Sequence, residues 1–116
     1  MTDKLSRIAE LNDRCRIGLD RNARILITAC CLAALSERTG PAAIILAQAE
    51  VLAAVRRYVF RPEDGRQRDR GELLVRDQTI RFKIDYYDLA LEWGSEDPAD
   101  PSVTTRVMTI MLPEDD

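Results

Sequence analysis

Carboxylates are the side chains of this sequence best suited to chemistry, because the chain contains no histidine. The absence of histidine excludes imidazole general bases, Ser-His and Cys-His nucleophiles and nearly all catalytic zinc sites. Asp85 and Asp88 lie three residues apart, a spacing at which two carboxylates could act as an acid/base pair or hold a divalent cation. Aspartate also makes the local hydrogen bonds that turns need, which favours a structural role. We predict a protein that is not an enzyme and that needs no metal or cofactor.

A second group of carboxylates lies in residues 96–101, with the sequence EDPADP. Its oxygens resemble part of a calcium-binding loop, but the glycine of the sharp turn and the closing bidentate glutamate of an EF-hand are missing. Asp-Pro pairs commonly begin turns, so a structural loop is favoured here too. The exposed acids of this region remain candidates for contacting a partner protein. The candidate partner-binding residues are Asp85, Tyr87, Asp88, Glu92, Glu96, Asp97 and Asp100.

The charge is segregated along the chain, although the net charge is only −3. Residues 1–55 carry 7 basic and 6 acidic side chains, residues 56–83 carry 9 and 5, and residues 84–116 carry 1 and 9. The basic part contains Arg61, Arg66, Arg68, Arg70, Arg76 and Arg81. Nucleic-acid-binding domains usually combine such arginines with stacking aromatics or a basic overall charge, so direct nucleic-acid binding is disfavoured. An alternative is that the basic and acidic parts neutralise each other within the fold.

Length and composition indicate one cytoplasmic domain. The 116 residues suffice for a single core, which we expect to span residues 1–116. No apolar run approaches the roughly 18 residues that cross a bilayer, and the first residues do not resemble a signal peptide. Three cysteines without a CxxC pair predict buried thiols in a reducing compartment.

Periodicity predicts two helices and a short strand in the first half of the chain. Apolar residues at helical spacing indicate a helix over residues 3–16, and the β-branched run 25–28 indicates a strand. A helical turn over residues 31–35 precedes a break at Thr39-Gly40-Pro41. Proline favours the first helical position, so the main helix is predicted over residues 42–58. Its apolar stripe consists of Ile44, Ala47, Val51, Val55 and Tyr58, flanked by Ile45, Leu52 and Val59.

The second half of the chain shows strand patterns. Residues 73–75 and the alternating residues from Thr79 predict two strands joined by a turn at Asp77-Gln78, and a reversal at Tyr87-Asp88 predicts a further strand over residues 89–93. Residues 107–112 are apolar on both faces, which predicts an interior strand. The expected core places the main helix against Phe82, Ile84, Leu91, Trp93, Val107 and Ile110.

This order of elements predicts an α+β fold. We expect an antiparallel sheet of four to five strands, with the N-terminal helix and the long central helix packed on one face. The sequence leaves open whether the protein forms a homodimer.

Four segments resemble an uncharacterised domain family. They are residues 7–13 (RIAELND), 83–88 (KIDYYD), 94–101 (GSEDPADP) and 104–112 (TTRVMTIML). The pattern is similar to that of a domain-of-unknown-function family of small proteins, encoded on plasmids and other mobile elements of alphaproteobacteria. The chain departs from that pattern at Cys30-Cys31 and in the charged loop 61–71.

The resemblance implies an anti-defence role, since proteins of this family are encoded beside genes that protect incoming DNA. Such a protein would resemble an anti-CRISPR inhibitor and would block a host CRISPR-Cas or restriction complex. Its partner would be a subunit of that complex rather than a membrane or a nucleic acid. An acidic surface suits this role, because it can occupy a basic groove that otherwise holds DNA phosphates. The alternative is a plasmid accessory or regulatory protein that acts through protein contacts.

Overall fold

The computed structural model describes residues 3–36 and 40–116, so Thr39 of the predicted break lies outside the described residues. Within these ranges the chain forms three α-helices and four strands, which confirms the α+β fold. The elements are α1 (Lys4–Arg16), β1 (Arg24–Ile27), α2 (Ala29–Leu35), α3 (Pro41–Arg56), β2 (Arg70–Val75), β3 (Gln78–Tyr87) and β4 (Thr105–Met111). Two short 3-10 turns occupy Pro62–Asp64 and Pro113–Asp115. No helix in the described part of the chain is both long and apolar enough to span a bilayer.

The four strands form one sheet in the order β1-β4-β3-β2. The β2–β3 and β3–β4 pairs are antiparallel, but β1 pairs with β4 in parallel, so the sheet is mixed. Parallel neighbours need a long connection, and here α2, α3, β2 and β3 all lie between β1 and β4 in the chain. The apolar character of both faces of β4 correctly predicted its interior position.

The hydrophobic core lies between the helices and one face of the sheet. Ile80, Phe82 and Ile84 of β3 are almost completely buried against this side, and so are Val51 and Val55 of α3. The alternation of β3 and the middle of the predicted α3 stripe are therefore confirmed. Ile44 and Ile45, at the start of α3, are instead 42% and 62% exposed.

The other face of the sheet, which we call the open face, carries the charged residues of β2 and β3. Arg70 lies opposite Lys83 and Glu72 opposite Arg81 in the β2–β3 register. Because successive strand residues point to opposite sides, Asp85 also lies on this face.

Gly71 allows the aromatic side chains of the core to pack against β2. The rings of Tyr58, Phe60 and Phe82 meet edge to face, with centroids 4.9 to 6.0 Å apart. A Cβ atom at residue 71 would lie 2.6 Å from Tyr58 and 2.7 Å from Phe82. A residue larger than glycine would therefore displace one of these packed rings.

The predicted strand over residues 89–93 and part of the predicted core were wrong. Residues 89–93 do not form a strand, and beyond Asp88 only an isolated bridge joins Gly94 to Tyr87. Trp93 and Leu91 are 74% and 42% exposed, so neither belongs to the core. Val107 is only half-buried, because it faces away from the helices.

The turn between β2 and β3 is displaced by one residue from its predicted position. Val75 pairs with Gln78, so the central residues are Arg76 and Asp77. Their φ angles are 50° and 64°, which suits the right-handed twist of the hairpin but strains residues that have a Cβ atom. The sequence lacks the Asn-Gly or Asp-Gly pair that marks this type of turn.

Candidate partner-binding surface

The connection between the antiparallel strands β3 and β4 contains five of the seven candidate partner-binding residues. We call residues 88–104 the acidic loop. The loop reverses direction at once: the Asp88 amide donates to the Trp93 carbonyl at 2.8 Å, and the Ser95 amide donates to the Tyr86 carbonyl at 3.1 Å. The Asp88 carboxylate accepts the Glu92 amide at 3.0 Å and so closes the first turn. The predicted point of reversal is therefore present without the strand that was expected after it.

Aspartates also shape the second half of the acidic loop. Asp97 Oδ1 accepts the amide of Ala99 at 3.2 Å, and Asp100 Oδ1 accepts the amide and the hydroxyl of Ser102 at 2.9 and 2.6 Å. The hydrogen bonds from the Ser102 hydroxyl and amide lower the pKa of Asp100. These are the turn-forming contacts that Asp-Pro pairs suggest, and they hold the loop in one shape.

Buried hydroxyl groups tie the loop to the end of the sheet. Thr104 Oγ1 lies 2.6 Å from Ser95 Oγ, and it donates to the Asp97 carbonyl at 2.9 Å. Thr104 is 5% exposed, so these bonds are shielded from water. The middle of the acidic loop is thereby held to its C-terminal end.

A buried polar network connects the loop to α1. The Arg106 Nε donates to Asn12 Oδ1 at 2.7 Å, and its terminal nitrogen donates to the Pro98 carbonyl of the loop. Asn12 Nδ2 donates to the Tyr86 hydroxyl at 2.8 Å and to the Gln67 carbonyl at 3.0 Å. The Arg106 guanidinium also lies 5.1 Å from the centroid of the Tyr86 ring.

Arg106 has an unusual environment for a cation. It is 2% exposed and forms no ion pair with any carboxylate in the described ranges. Burial lowers the pKa of its guanidinium. Sequence analysis did not assign Arg106 a role. The lone basic residue of the last 33 positions was nevertheless a signal of a buried polar contact.

Large apolar side chains project from the loop into solvent. Trp93 is 74% exposed, Leu89 is 64% exposed and Val103 is 40% exposed. Leu91, beside them, has a φ of 61°, a left-handed conformation that is strained for a leucine. A cavity of about 330 Å³ opens here, and it is lined by Asp88, Leu89, Trp93, Gly94, Glu96 and Val103. We call it the Trp93 cavity.

The candidate acids do not form one cluster. Asp88 and Glu96 meet in the Trp93 cavity, and Glu92 is joined to Asp88 through its backbone. Asp97 lies over the start of α1, where it pairs with Lys4 at 3.2 Å. Asp100 Oδ1 accepts from Ser102 within its own turn. Asp85 and Tyr87 lie apart from these, on the open face, opposite Val107 and Thr105 of β4.

No ion pair among the described residues joins the acidic loop to the charged loop 61–71. Arg66 pairs with Asp3 at 3.5 Å, and Arg68 pairs with Asp13 at 2.8 Å. Among the described residues, Asp97 is the only acid of positions 85–100 that forms an ion pair. No Lys or Arg occurs between Lys83 and Arg106 in the sequence. None of the described ion pairs joins Arg66 or Arg68 to these acids, although Arg81 and Lys83 of the basic part do pair with Asp116 of the acidic part.

A second cavity, of about 400 Å³, lies at the side of β2 and β3. Its basic side chains are largely paired: Arg81 with Glu72 at 2.8 Å, and Lys83 with Asp116 at 3.3 Å. The nearby Lys83 lowers the pKa of Asp116. Sequence reasoning missed this cavity, because the contact between residues 83 and 116 has no local signal.

The described residues contain no metal-binding cluster, and the buried cysteines are not reactive thiolates. In the described part of the chain, no three His, Cys, Asp or Glu side chains come close enough to hold a metal ion. Burial raises the pKa of Cys15 and of Cys31 to about 11, so neither is a reactive thiolate. Cys30 is exposed, contrary to the expectation of three buried thiols.

Comparison with known proteins identifies the family but no function. Residues 28–115 match the family described as "Protein of unknown function (DUF3768)". Three of the four resembling segments fall inside this match, whereas residues 7–13 lie before it. No curated protein and no solved structure matches the chain. The match covers more than half of the sequence, and the chain therefore belongs to the DUF3768 family.

Proposed function

We propose that this protein acts by binding a partner protein through its acidic loop, and that it is not an enzyme. The partner is a host defence complex in the cytoplasm, of the CRISPR-Cas or restriction type, that uses a basic groove to hold nucleic acid. Binding blocks that groove and protects an incoming mobile element. The resemblance described above supplies the anti-defence setting, and the acidic loop supplies the binding surface.

The exposed apolar side chains of the acidic loop are the observation that carries this proposal. Trp93 leaves three-quarters of its surface in water, beside the exposed side chains of Leu89 and Val103. Tryptophan anchors at the centre of a polar rim are typical of protein interfaces, where they contribute a large part of the binding energy. The rim here consists of the Asp88 and Glu96 carboxylates, so a partner with a basic surface is favoured.

The rigidity of the loop supports binding further. The hydrogen bonds of Asp88, Asp97 and Asp100 to backbone amides, together with the anchor from Arg106, hold the acidic groups in place before any partner arrives. Little conformational entropy is then lost when the complex forms. Fixed negative charges also speed the encounter with a basic groove, and this effect weakens as salt shortens the Debye length from about 10 Å at 0.1 M to about 3 Å at 1 M.

A protection assay with matched charge variants tests the proposal. A host with an active CRISPR-Cas or restriction system is challenged with a targeted plasmid, with and without this protein, and surviving transformants are counted. The loop variant combines Asp88→Asn, Glu92→Gln and Glu96→Gln. Asparagine retains the Oδ1 acceptor that closes the turn at residue 88, so the variant removes charge and keeps the turn.

The control variant removes the same charge elsewhere. It combines Glu10→Gln, Glu63→Gln and Glu114→Gln, three exposed residues outside the acidic loop. We expect the parent and the control to protect the plasmid and the loop variant to fail. Equal protection by both variants would refute the role of the loop. If the parent protects in no host, and affinity purification recovers only plasmid-encoded proteins, the accessory role is the better explanation.

A further inference from the structure

We infer that the Trp93 cavity receives an arginine side chain from an extended basic segment of the partner. This inference rests on the proposed function and specifies the chemistry of the contact. The cavity combines an aromatic face, two carboxylates and apolar walls in one place, which is the set of groups that a guanidinium and its aliphatic stem require.

The indole of Trp93 provides the platform. Tryptophan binds cations over its ring more strongly than tyrosine or phenylalanine does, and arginine occupies such positions more often than lysine. Tyr86, by contrast, already has the Arg106 guanidinium at 5.1 Å from its ring centroid. In the described residues no cation of this chain is found over Trp93, so its face is available to a partner.

The carboxylates of the cavity are free to bind a cation. Asp88 uses Oδ1 to accept the Glu92 amide, and its other oxygen has no partner among the described residues. Glu96 forms no ion pair there, and its residue is exposed. A planar guanidinium has five donors, so it can bond to two carboxylates and still lie flat on an aromatic ring, which an ammonium group cannot do.

The size and walls of the cavity suit one long side chain. About 330 Å³ is near the lower limit of small-molecule pockets, so a single residue fills much of it. Leu89 and Val103 line the sides, where they can contact the methylene groups of an arginine stem. The exposed Trp93 also leaves a large apolar surface that the rest of the bound segment covers.

The chain cannot fill this cavity from its own neighbouring sequence. No lysine or arginine occurs in residues 84–105, and the buried Arg106 donates its hydrogen bonds to Asn12 and to the Pro98 carbonyl. No lysine or arginine of the described residues lines the cavity, which fits an occupant from another molecule.

Fluorescence titration tests the inference, because Trp93 is the only tryptophan in the chain and reports on this cavity alone. The probes are tetra-arginine amide and tetra-lysine amide, added to the full protein at low salt. We expect tetra-arginine to change the Trp93 emission in a saturable manner and to bind more tightly than tetra-lysine. The variant with Asp88→Asn and Glu96→Gln should bind tetra-arginine about tenfold more weakly, because two charge-assisted contacts become neutral.

The control for charge alone is the variant with Glu10→Gln and Glu114→Gln, which should bind tetra-arginine like the parent. Unchanged Trp93 emission, equal affinity for the two peptides, or equal weakening in both variants would overturn the inference. Thermal unfolding of each variant verifies that the fold is retained.

The two assays separate the failure of this inference from the failure of the proposed function. If the loop variant loses plasmid protection but tetra-arginine leaves Trp93 unchanged, the acidic loop binds its partner without an arginine in the cavity. If tetra-arginine binds as expected but the loop variant still protects the plasmid, the cavity is an arginine site and protection does not depend on the acidic loop.

Discussion

Replacing Asn12 by leucine should destabilise the protein strongly, because Asn12 is the acceptor for the buried Arg106 guanidinium. Asn12 is fully buried, and its side chain makes three hydrogen bonds at 2.7 to 3.0 Å. Leucine has a similar size but makes none of them. The largest loss is at Arg106, whose guanidinium keeps its charge in a site that is 2% exposed, and removing one partner of a buried charged contact typically costs about 3 to 5 kcal/mol.

The second substitution, Arg106→Met, tests whether the orphaned charge causes this loss. Methionine removes the guanidinium and leaves two neutral acceptors, Asn12 Oδ1 and the Pro98 carbonyl, without their donor, which costs about 1 to 3 kcal/mol. With both substitutions present, no charge remains in the site. We therefore expect the double variant to be about 2 kcal/mol more stable than the sum of the two single effects predicts.

Urea unfolding of the parent, the two single variants and the double variant measures all four free energies. A loss below about 1 kcal/mol for Asn12→Leu would contradict the dependence of Arg106 on this contact. Strictly additive effects would show that the guanidinium finds another acceptor when Asn12 is absent. Hydrogen exchange in the acidic loop provides a second observation, because Arg106→Met removes the bond to Pro98 and should speed exchange at nearby amides.

Three further predictions concern other parts of the fold. Gly71→Ala should cost about 1 to 3 kcal/mol in urea unfolding because its Cβ would overlap two core rings, whereas Gly94→Ala, whose Cβ has no neighbour closer than 3.9 Å, should be nearly neutral. A thiol reagent should label only Cys30 in the native protein and all three cysteines after unfolding, and Cys30→Ser should abolish native labelling. Burial raises the pKa of Asp64, but hydrogen bonds from a tyrosine hydroxyl and a backbone amide outweigh it and the net shift is downward. Its ionised form therefore stabilises the fold above about pH 4, and the stability gap between parent and Asp64→Asn should close as pH falls through the native pKa.

Local sequence patterns predicted the elements whose structure depends on local contacts. The N-cap of α1 is Asp3, whose carboxylate accepts the Ser6 amide at 2.7 Å, and α3 begins with proline at its first position, as expected. The alternation of apolar residues in β3 and the apolar character of both faces of β4 are also local patterns, and both were interpreted correctly. These signals occur within a few residues of the structure that they predict.

Contacts between distant residues could not be predicted in the same way. The parallel pairing of β1 with β4 joins Arg24 to Val107, and the network around Arg106 joins it to Asn12 across 94 positions. Neither contact leaves a periodic pattern in the sequence. The expected antiparallel sheet therefore did not include the parallel β1–β4 pair, and the anchoring of the acidic loop by Arg106 was missed.

The failure at residues 89–93 has a different cause and supports the proposed function. The apolar residues Leu89, Leu91 and Trp93 occur at every second position, as the core-facing residues of a strand do. This pattern indicates that side chains share a face, but it does not indicate what covers that face. Here no element of the described chain covers Trp93, and Leu91 adopts a strained left-handed conformation at the tip of the loop. Sequence rules that hold elsewhere in a protein fail preferentially at functional sites, where local stability is sacrificed. An apolar cluster that the fold leaves exposed is explained if another molecule covers it. The carboxylates beside the cluster favour a basic partner.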